Sequence, residues 1–367
     1  MVLTPPPPTA LWSVPVAELA GVARHVLDVT RAGVPGWRLV VLCPPGPLAR
    51  ELRRQGTAVV TGAVSPADGP ITAGRTVRRI LRRLRPDLLH THLAFADLVG
   101  TGAAAGLRSA RGTGIRLVST EHGIAGVPGM YRPDPLRRRA TLLAHRIRVR
   151  RADALIAVST STRDQVLCQW GGAGSALAER IAVVRNAVDP PVTPVAPRPG
   201  LRLLSLARLA PEKRIDRVLE AIAVLRREHP GLRLTIAGTG PEEPALRAQV
   251  ARLALEEVVL MPGHVPAHEA LAEHDVLVQL SRWENLSYAV LDAVAHGLGV
   301  VASDAGGTRE IVPARCLLDP AEVADAAAVA AAMAVQGLEP AQRPARAAAG
   351  VAAMTAGIAA VYRGVTA

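Results

Sequence analysis

The chain reads as an α/β protein of two domains, each built on a parallel sheet. Three observations carry this. Its 367 residues leave room for two separate cores. Short aliphatic, β-branched runs alternate with helical patterns from end to end, without an internal repeat, which is the order of parallel strands joined through helices. The alternation stops once, at the proline-rich stretch DPPVTPVAPRPG (189–200), and then restarts. These observations divide the chain into a first domain over 1–190, a linker over 191–200, a second domain over 201–338 and a helical segment over 339–367.

The elements follow in order. The first strand is placed within 1–4, ahead of four consecutive prolines, and a helix follows over 16–31. Strands come next at 37–43, 58–61, 87–92, 116–120, 154–159 and 181–185, each a short apolar run. Helices over 47–55, 72–85, 135–151 and 160–170 lie between them. After the linker, strands fall at 201–207, 232–237, 258–261, 276–280 and 300–302, each followed by a helix. The tail over 339–362 is alanine-rich and helical.

The stretch SRWENLSYAVLDAVAHGLGVVASDAGGTREIV (281–312) says most about chemistry. A strand runs into it, and a polar turn then carries Glu284 and Asn285. The next helix holds Leu286, Val290 and Val294 on its apolar face, and Gly297 stops it. A second strand leads through Gly306 and Gly307 to another helix start at 308–310. A carboxylate thus sits at a strand's C-terminal end beside the N–H groups of a helix start. In an open α/β sheet that edge binds ligands, and helix starts attract phosphate. The plain alternative is a solvated Glu284 in an ordinary strand–turn–helix.

LARLAPEKRID (206–216) places Arg208 at a strand end and Lys213 at a helix start. A guanidinium fork and an ammonium point charge at that spacing suit a diphosphate. A leaving diphosphate needs such neutralisation. Lys213 is the one lysine among 43 basic residues, which sets it apart from ordinary surface cations. IAGTGPEEPAL (236–246) gives Gly238 and Gly240 after a strand, either for phosphate contact or as a tight connection. MPGHVP (261–266) puts His264 and Val265 after the next strand.

In the first half, VSTEHGIAG (118–126) ends a strand at His122, again at the sheet edge that binds ligands. LLHTHLAFAD (88–97) sets His90 and His92 on one strand face. A His-x-His metal site needs a third ligand and nothing obvious supplies it, so both read as structural or acceptor-side. LAGVARHV (19–26) puts Gly21 just before the first helix.

In this order, and over most of the chain, these motifs resemble retaining glycosyltransferases of the GT-B fold, glycosyltransferase family 4 (group 1) in particular. That family has two glutamates separated by seven residues. Glu284 matches the first, and the second falls at Asp292, one methylene shorter. The resemblance implies two Rossmann-like domains whose parallel sheets face a central cleft, with the C-terminal helix crossing back onto the first domain. The acceptor would bind the first domain. A nucleoside-diphosphate sugar, UDP- or GDP-linked, would bind the second as co-substrate, with no other cofactor.

The resemblance also implies roles. Glu284 would hold the sugar hydroxyls and Asp292 the ribose. Arg208 and Lys213 would bind the diphosphate, helped by Asn285 and by N–H groups near Leu286 and Ser287. Backbone at His264 and Val265 would read the nucleobase, and Gly238 would approach the phosphates. Gly21 belongs to a degenerate copy of the family's glycine loop, and His122 would stand near the sugar's reacting end. His122, Glu284, Arg208 and Lys213 form the catalytic set. No Asp-x-Asp pair is placed at this site, so no metal is expected.

Composition sets the remaining bounds. No run of eighteen uncharged apolar residues occurs, so no helix should span a membrane. The start lacks the pattern of a signal peptide. Cys43, Cys168 and Cys316 read as reduced thiols of a cytoplasmic protein. A net charge of +12 suggests nucleic acid or an anionic membrane. Aromatic content of 2%, with Phe95 the only phenylalanine, disfavours base stacking and so nucleic acid. The arginine-rich helices over 75–85 and 137–151 read either as solvated faces or as peripheral contacts with the membrane's inner face or an anionic lipid acceptor. Rival functions are an epimerase or phosphorylase on the same fold, or a non-catalytic arginine-rich binding module. A dehydrogenase is disfavoured because no full GxGxxG follows an early strand.

Overall fold

A computed structural model describes residues 6–123, 135–171, 176–191, 198–345 and 350–367. The chain forms two compact units, Met1–Asn186 with Val351–Ala367, and Ala187–Gly350. The first begins with β1 (Thr9–Ser13), α1 (Gly21–Ala32), β2 (Arg38–Cys43), α2 (Pro47–Arg54), β3 (Ala58–Thr61) and α3 (Pro70–Leu84). It continues with β4 (Leu88–His92), α4 (Ala94–Ala104), β5 (Arg116–Glu121), α5 (Pro135–Arg151), β6 (Ala154–Ala157), α6 (Thr160–Val166) and β7 (Ile181–Val183). The second unit begins with β8 (Arg202–Leu206), α7 (Ile215–Leu225), β9 (Arg233–Ala237), α8 (Glu243–Arg252), β10 (Val259–Gly263) and α9 (Ala267–Ala272). It ends with β11 (Val276–Gln279), α10 (Tyr288–His296), β12 (Gly299–Ser303), β13 (Leu317–Leu318), α11 (Pro320–Ala324) and α12 (Ala326–Leu338). The last helix, α13 (Val351–Thr366), returns to the first unit.

Every pairing within the two sheets is parallel. The first sheet runs β3-β2-β1-β4-β5-β6-β7 and the second β10-β9-β8-β11-β12-β13, both in the doubly wound order. Strand order reverses between β1 and β4 in one and between β8 and β11 in the other. A buried parallel sheet needs apolar side chains on both faces, and the second unit shows this residue by residue. Leu203, Val276, Val278 and Val301 enter one core while Leu204, Leu277, Val300 and Ala302 enter the core on the opposite face.

Several expectations are corrected. The first strand of the sheet among the described residues is Thr9–Ser13, after the prolines; residues 1–4, where it was expected, lie outside the described residues. Proline cannot donate to a ladder, so the pairing segment is the apolar run that follows. The first helix starts at Gly21 instead of 16, because the Ala17 carbonyl accepts from Leu48 N–H at 2.9 Å. α4 has no counterpart in the expected elements. Its glycines lower helix propensity, and packing compensates: a Cβ at Gly100 would meet Thr91 at 2.9 Å. The segment over 308–310 is a single 3-10 turn and not a helix start. The tail is not one helix, since 340–342 is a 3-10 turn and Pro340 and Pro344 break the pattern before α13.

Among the buried side chains of α13, Tyr362 hydrogen-bonds to residues of the sheet. The Tyr362 hydroxyl accepts from Trp12 Nε1 at 2.8 Å and lies 2.6 Å from His90 Nδ1. All three side chains are fully buried. Tyr362→Phe keeps the ring packing but strands two buried polar groups. It should cost roughly 2–3 kcal/mol, seen as a lower urea midpoint at unchanged slope. An unshifted midpoint would show that the hydrogen bonds do not hold the helix.

Candidate functional site

In the second unit the reversal brings the C-terminal ends of β8 and β11 together. After β8 the chain makes a 3-10 turn, Pro211–Lys213, before α7. Lys213 Nζ pairs directly with Glu284 Oε1, and Ser281 Oγ donates to the same oxygen at 3.0 Å. Both partners are largely buried, with side-chain exposures of 21% and 12%. Arg208 is 62% exposed and pairs at 2.5 Å with Glu212, which is buried. The Arg282 N–H donates to the Glu212 carbonyl at 2.8 Å and ties the two strand-end loops together. Cations and carboxylates therefore alternate along this edge. An arriving polyanion can take Lys213 and Arg208 as its own partners, and the Glu284 carboxylate can accept from hydroxyls, as it does from Ser281.

The turn that carries Glu284 is held from behind. Gly306 has φ +57°, and a Cβ there would lie 1.7 Å from the Glu284 carbonyl oxygen. The Gly307 N–H donates to the Asn285 carbonyl at 2.8 Å. Ser287 caps α10, accepting from Val290 N–H at 3.4 Å and donating to Gln279 Oε1 at 2.7 Å. α10 thus starts at Tyr288, so Leu286, expected on its apolar face, precedes it, and Asp292 is its fifth residue, buried. Gly238 has a packing reason for being glycine: a Cβ would lie 1.9 Å from the Ala207 carbonyl oxygen. Its N–H donates to the Gly263 carbonyl at 2.7 Å. His264 is exposed, and Val265 packs against the core beneath α9 and α10.

In the first unit the reversal exposes the ends of β1 and β4. Trp12 lies at the centre of an aromatic cluster. Its ring centroid is 6.1 Å from His25, 4.8 Å from His90 and 4.5 Å from His92. His122 follows β5, and its Nε2 shares a 2.8 Å hydrogen bond with His92 Nδ1. His90 Nε2 bonds Thr120 Oγ1 at 2.7 Å, and His25 Nδ1 lies 3.1 Å from Asn186 Oδ1. Gly21 is the first residue of α1, with open space where a Cβ would stand.

His90 gains no third ligand beside His92, since both its ring nitrogens are engaged, by Tyr362 and Thr120; the grouping that the sequence did not show is of His92 with two other histidines. α1 supplies His25 and β5 supplies His122, and one nitrogen each of His25, His92 and His122 lies within 4.8 Å of the others. Sequence separation hid this, since the three sit on different elements. The His92–His122 pair is nonetheless a hydrogen bond at 2.8 Å. Two nitrogens on one tetrahedral zinc stand about 3.3 Å apart, so the cluster stands here as linked neutral imidazoles. Burial, and then the neighbouring imidazoles, hold His90, His92 and His122 well below the usual histidine range. Burial alone brings His25 down to about 4, against the pull of its Asn186 bond.

One buried network was missed. Arg148, counted among the basic surface of α5, is instead buried and bridges Asp97, at 2.5 Å, to Glu121, the residue before His122. Asp97, the single acid on α4, was the available cue. Removing one partner of such a buried pair leaves an uncompensated charge.

The doubled sheets and this edge chemistry define a GT-B glycosyltransferase. Two family models match the chain: Glycosyltransferase Family 4 over residues 19–191 and Glycosyl transferases group 1 over residues 196–346. A glycogen synthase of Mycobacterium tuberculosis is 31% identical over 82% of this chain and 78% of that protein. A GDP-mannose-dependent alpha-mannosyltransferase of the same species is 30% identical over 80% and 78%. Among solved structures, Anabaena HepE in complex with UDP-glucose superposes with a TM-score of 0.73 at 20% identity, covering 98% of each chain. Sucrose-phosphate synthase of Thermosynechococcus elongatus follows at 0.71 and 18%, covering 98% and 94%. The chain belongs to glycosyltransferase family 4, the group 1 glycosyltransferases.

The histidine cluster makes stability depend on pH. A histidine lowered in the folded state stays neutral there, while the unfolded chain takes up its proton near pH 6.5. The unfolded state then binds more protons, so stability is full above that pH and falls as pH drops toward 4. His25 alone, lowered from 6.5 to about 4, accounts for roughly 3 kcal/mol. Glu121, raised first by burial, pulls the other way, but it is one carboxyl against four imidazoles. Melting temperatures followed by circular dichroism should fall steadily between pH 7 and about 4.5. A flat profile would mean that the cluster is solvated or already charged.

Proposed function

We propose that this glycosyltransferase works with retention of configuration, moving a sugar from a nucleoside-diphosphate sugar to a hydroxyl acceptor. Retention is what the family resemblance implies, and the observation that supports the sugar-nucleotide donor is the placement of Lys213, Glu284 and Arg208 at the β8–β11 edge. Arg208 and Lys213 hold the diphosphate, with N–H groups near Leu286 and Ser287 beside it. Glu284 accepts from the sugar hydroxyls and Asp292 from the ribose. Backbone at His264 and Val265 reads the nucleobase. In the first unit, His122 offers a neutral imidazole to a sugar hydroxyl.

In the reaction the anomeric C–O bond to the diphosphate breaks and a C–O bond to the acceptor forms on the same face. The transition state is oxocarbenium-like, and the leaving phosphate takes the acceptor's proton. Positive charge fixed beforehand at the departing oxygen is the main protein contribution. The UDP-glucose bound by HepE and the GDP-mannose named for the mycobacterial relative both support a sugar nucleotide, so the donor is UDP- or GDP-linked. The acceptor is a glycan, a lipid-linked sugar or a small molecule. The enzyme needs no metal and works in the cytoplasm. It is peripheral at the membrane's inner face through its arginine-rich helices. No helix among the described residues is long and apolar enough to cross a membrane.

A thermal-shift screen of nucleotide sugars identifies the donor, since a ligand stabilises the state that it binds. With that donor, Lys213→Ala and Arg208→Ala should each slow turnover by about a hundredfold or more, as removal of a preorganised charge costs roughly 3 kcal/mol. Circular dichroism controls for the buried Glu212 that Arg208→Ala leaves unpaired. Activity should survive EDTA. Near-normal rates in both variants, or loss with EDTA reversed by magnesium, would sink the assignment. Donor turnover without any hydroxyl acceptor would point to an epimerase or phosphorylase instead.

Asp292 and Glu284 should separate by experiment. Asp292→Ala should weaken donor binding in calorimetry, because a ribose contact serves ground and transition states alike. Glu284→Gln should lower kcat more than donor affinity, because its contacts tighten as charge develops. If Asp292→Ala binds donor as the unaltered protein does, the ribose role is wrong.

A further inference from the structure

The helices of the first unit differ in character between its layers. α1 and α2 carry acids paired with arginines, Asp28 with Arg24 and Glu51 with Arg54. α3, α4 and α5 pack side by side, and their only acid is Asp97, buried against Arg148. Among the described residues Arg75, Arg79, Arg82 and Arg83 of α3 are exposed and pair with no carboxylate. Arg146 and Arg150 of α5 are exposed too.

The same three helices expose large apolar side chains. Ile71 is 70% exposed, Leu98 40%, Leu143 59% and Ile147 47%. Between α3 and α4 runs a groove of about 580 Å³, walled by Ile71, Phe95, Leu98 and Val99 with Arg75 and Arg78. Gly74 and Gly102 also line it, and nothing lies within 4 Å of where their Cβ atoms would stand, so side chains there would only narrow it. Arg78 is a fixed wall, donating to the Ala103 and Ala105 carbonyls at 2.9 and 3.0 Å.

We infer that the α3–α4–α5 face docks the first unit on an anionic phospholipid surface, the groove receiving an acyl chain and the arginines the lipid phosphates. Unpaired cations beside exposed aliphatic side chains are the pattern of an interfacial membrane contact. A polyanion such as nucleic acid or an acidic glycan would use the arginines but has nothing to place in an apolar groove. Exposed apolar patches of this kind mark partner surfaces. The inference rests on the membrane clause of the proposed function and is independent of its donor clause.

The test is sedimentation with vesicles of phosphatidylcholine alone and with about a third phosphatidylglycerol, where each arginine near the surface is worth about fivefold in affinity. The protein should pellet with the anionic vesicles and not with the neutral ones. Ile71→Asp with Leu98→Asp should weaken binding at least about tenfold, as should Arg79→Glu with Arg82→Glu. Thermal shift with the donor should be unchanged in both. No binding to anionic vesicles overturns the inference, as does binding that both double variants leave intact. Binding lost only with the arginine variant, and equally strong to heparin, would identify a polyanion surface and overturn it too. Loss of the donor shift in the unaltered protein would count against the transferase assignment and not against docking.

Discussion

Where strand order reverses in a parallel sheet, successive connections leave on opposite faces, and two neighbouring strand ends stand uncovered. Almost everything chemical in this protein sits at one of two such places. The β8–β11 reversal collects Arg208, Lys213 and Glu284 from segments some seventy residues apart in the chain. The β1–β4 reversal collects Trp12, His92 and, from the next strand, His122. The sheets themselves are generic, built from aliphatic runs that feed two cores. The topology turns them into sites, because only there can backbone amides and charged side chains meet a ligand without losing a ladder bond.

Each edge is stiffened by groups that do not face it. Gly306 passes so close to the Glu284 carbonyl that no side chain fits between them. Serine hydroxyls at 281, 287 and 303 bond neighbouring strands and turns. In the first unit Tyr362 reaches from α13 to Trp12 and His90, and Arg148 bridges Asp97 and Glu121 behind His122. Such buried polar groups add little net stability when satisfied, but leaving one unsatisfied is costly. They fix geometry more than they add energy, which is what a site that discriminates transition state from ground state requires.

The alternation of elements and the strand-end placement of Glu284, Arg208 and Lys213 were legible because they depend on local pattern alone. What escaped depends on distance in the chain. His25, His92 and His122 belong to three elements, and nothing local shows that they meet. Arg148 looks like its neighbours on α5 in composition, and only tertiary packing separates a buried guanidinium from a solvated one. α4 is a poor helix by propensity and forms because Gly100 lets it lie close to β4. The start of α1 was misjudged for a similar reason, since the Ala17 carbonyl is engaged by α2.

The single lysine can be understood from the pair that it makes. This chain uses arginine nearly everywhere that a cation is wanted, yet the residue facing Glu284 is lysine. A guanidinium tends to grip a carboxylate through both oxygens at once. Opposite Glu284 that fork would engage both carboxylate oxygens. The ammonium is a point charge, and both it and the Ser281 hydroxyl act on the same oxygen, Oε1. Neither contact uses Oε2. Lysine at 213 therefore neutralises the edge and keeps Glu284 in place without closing it.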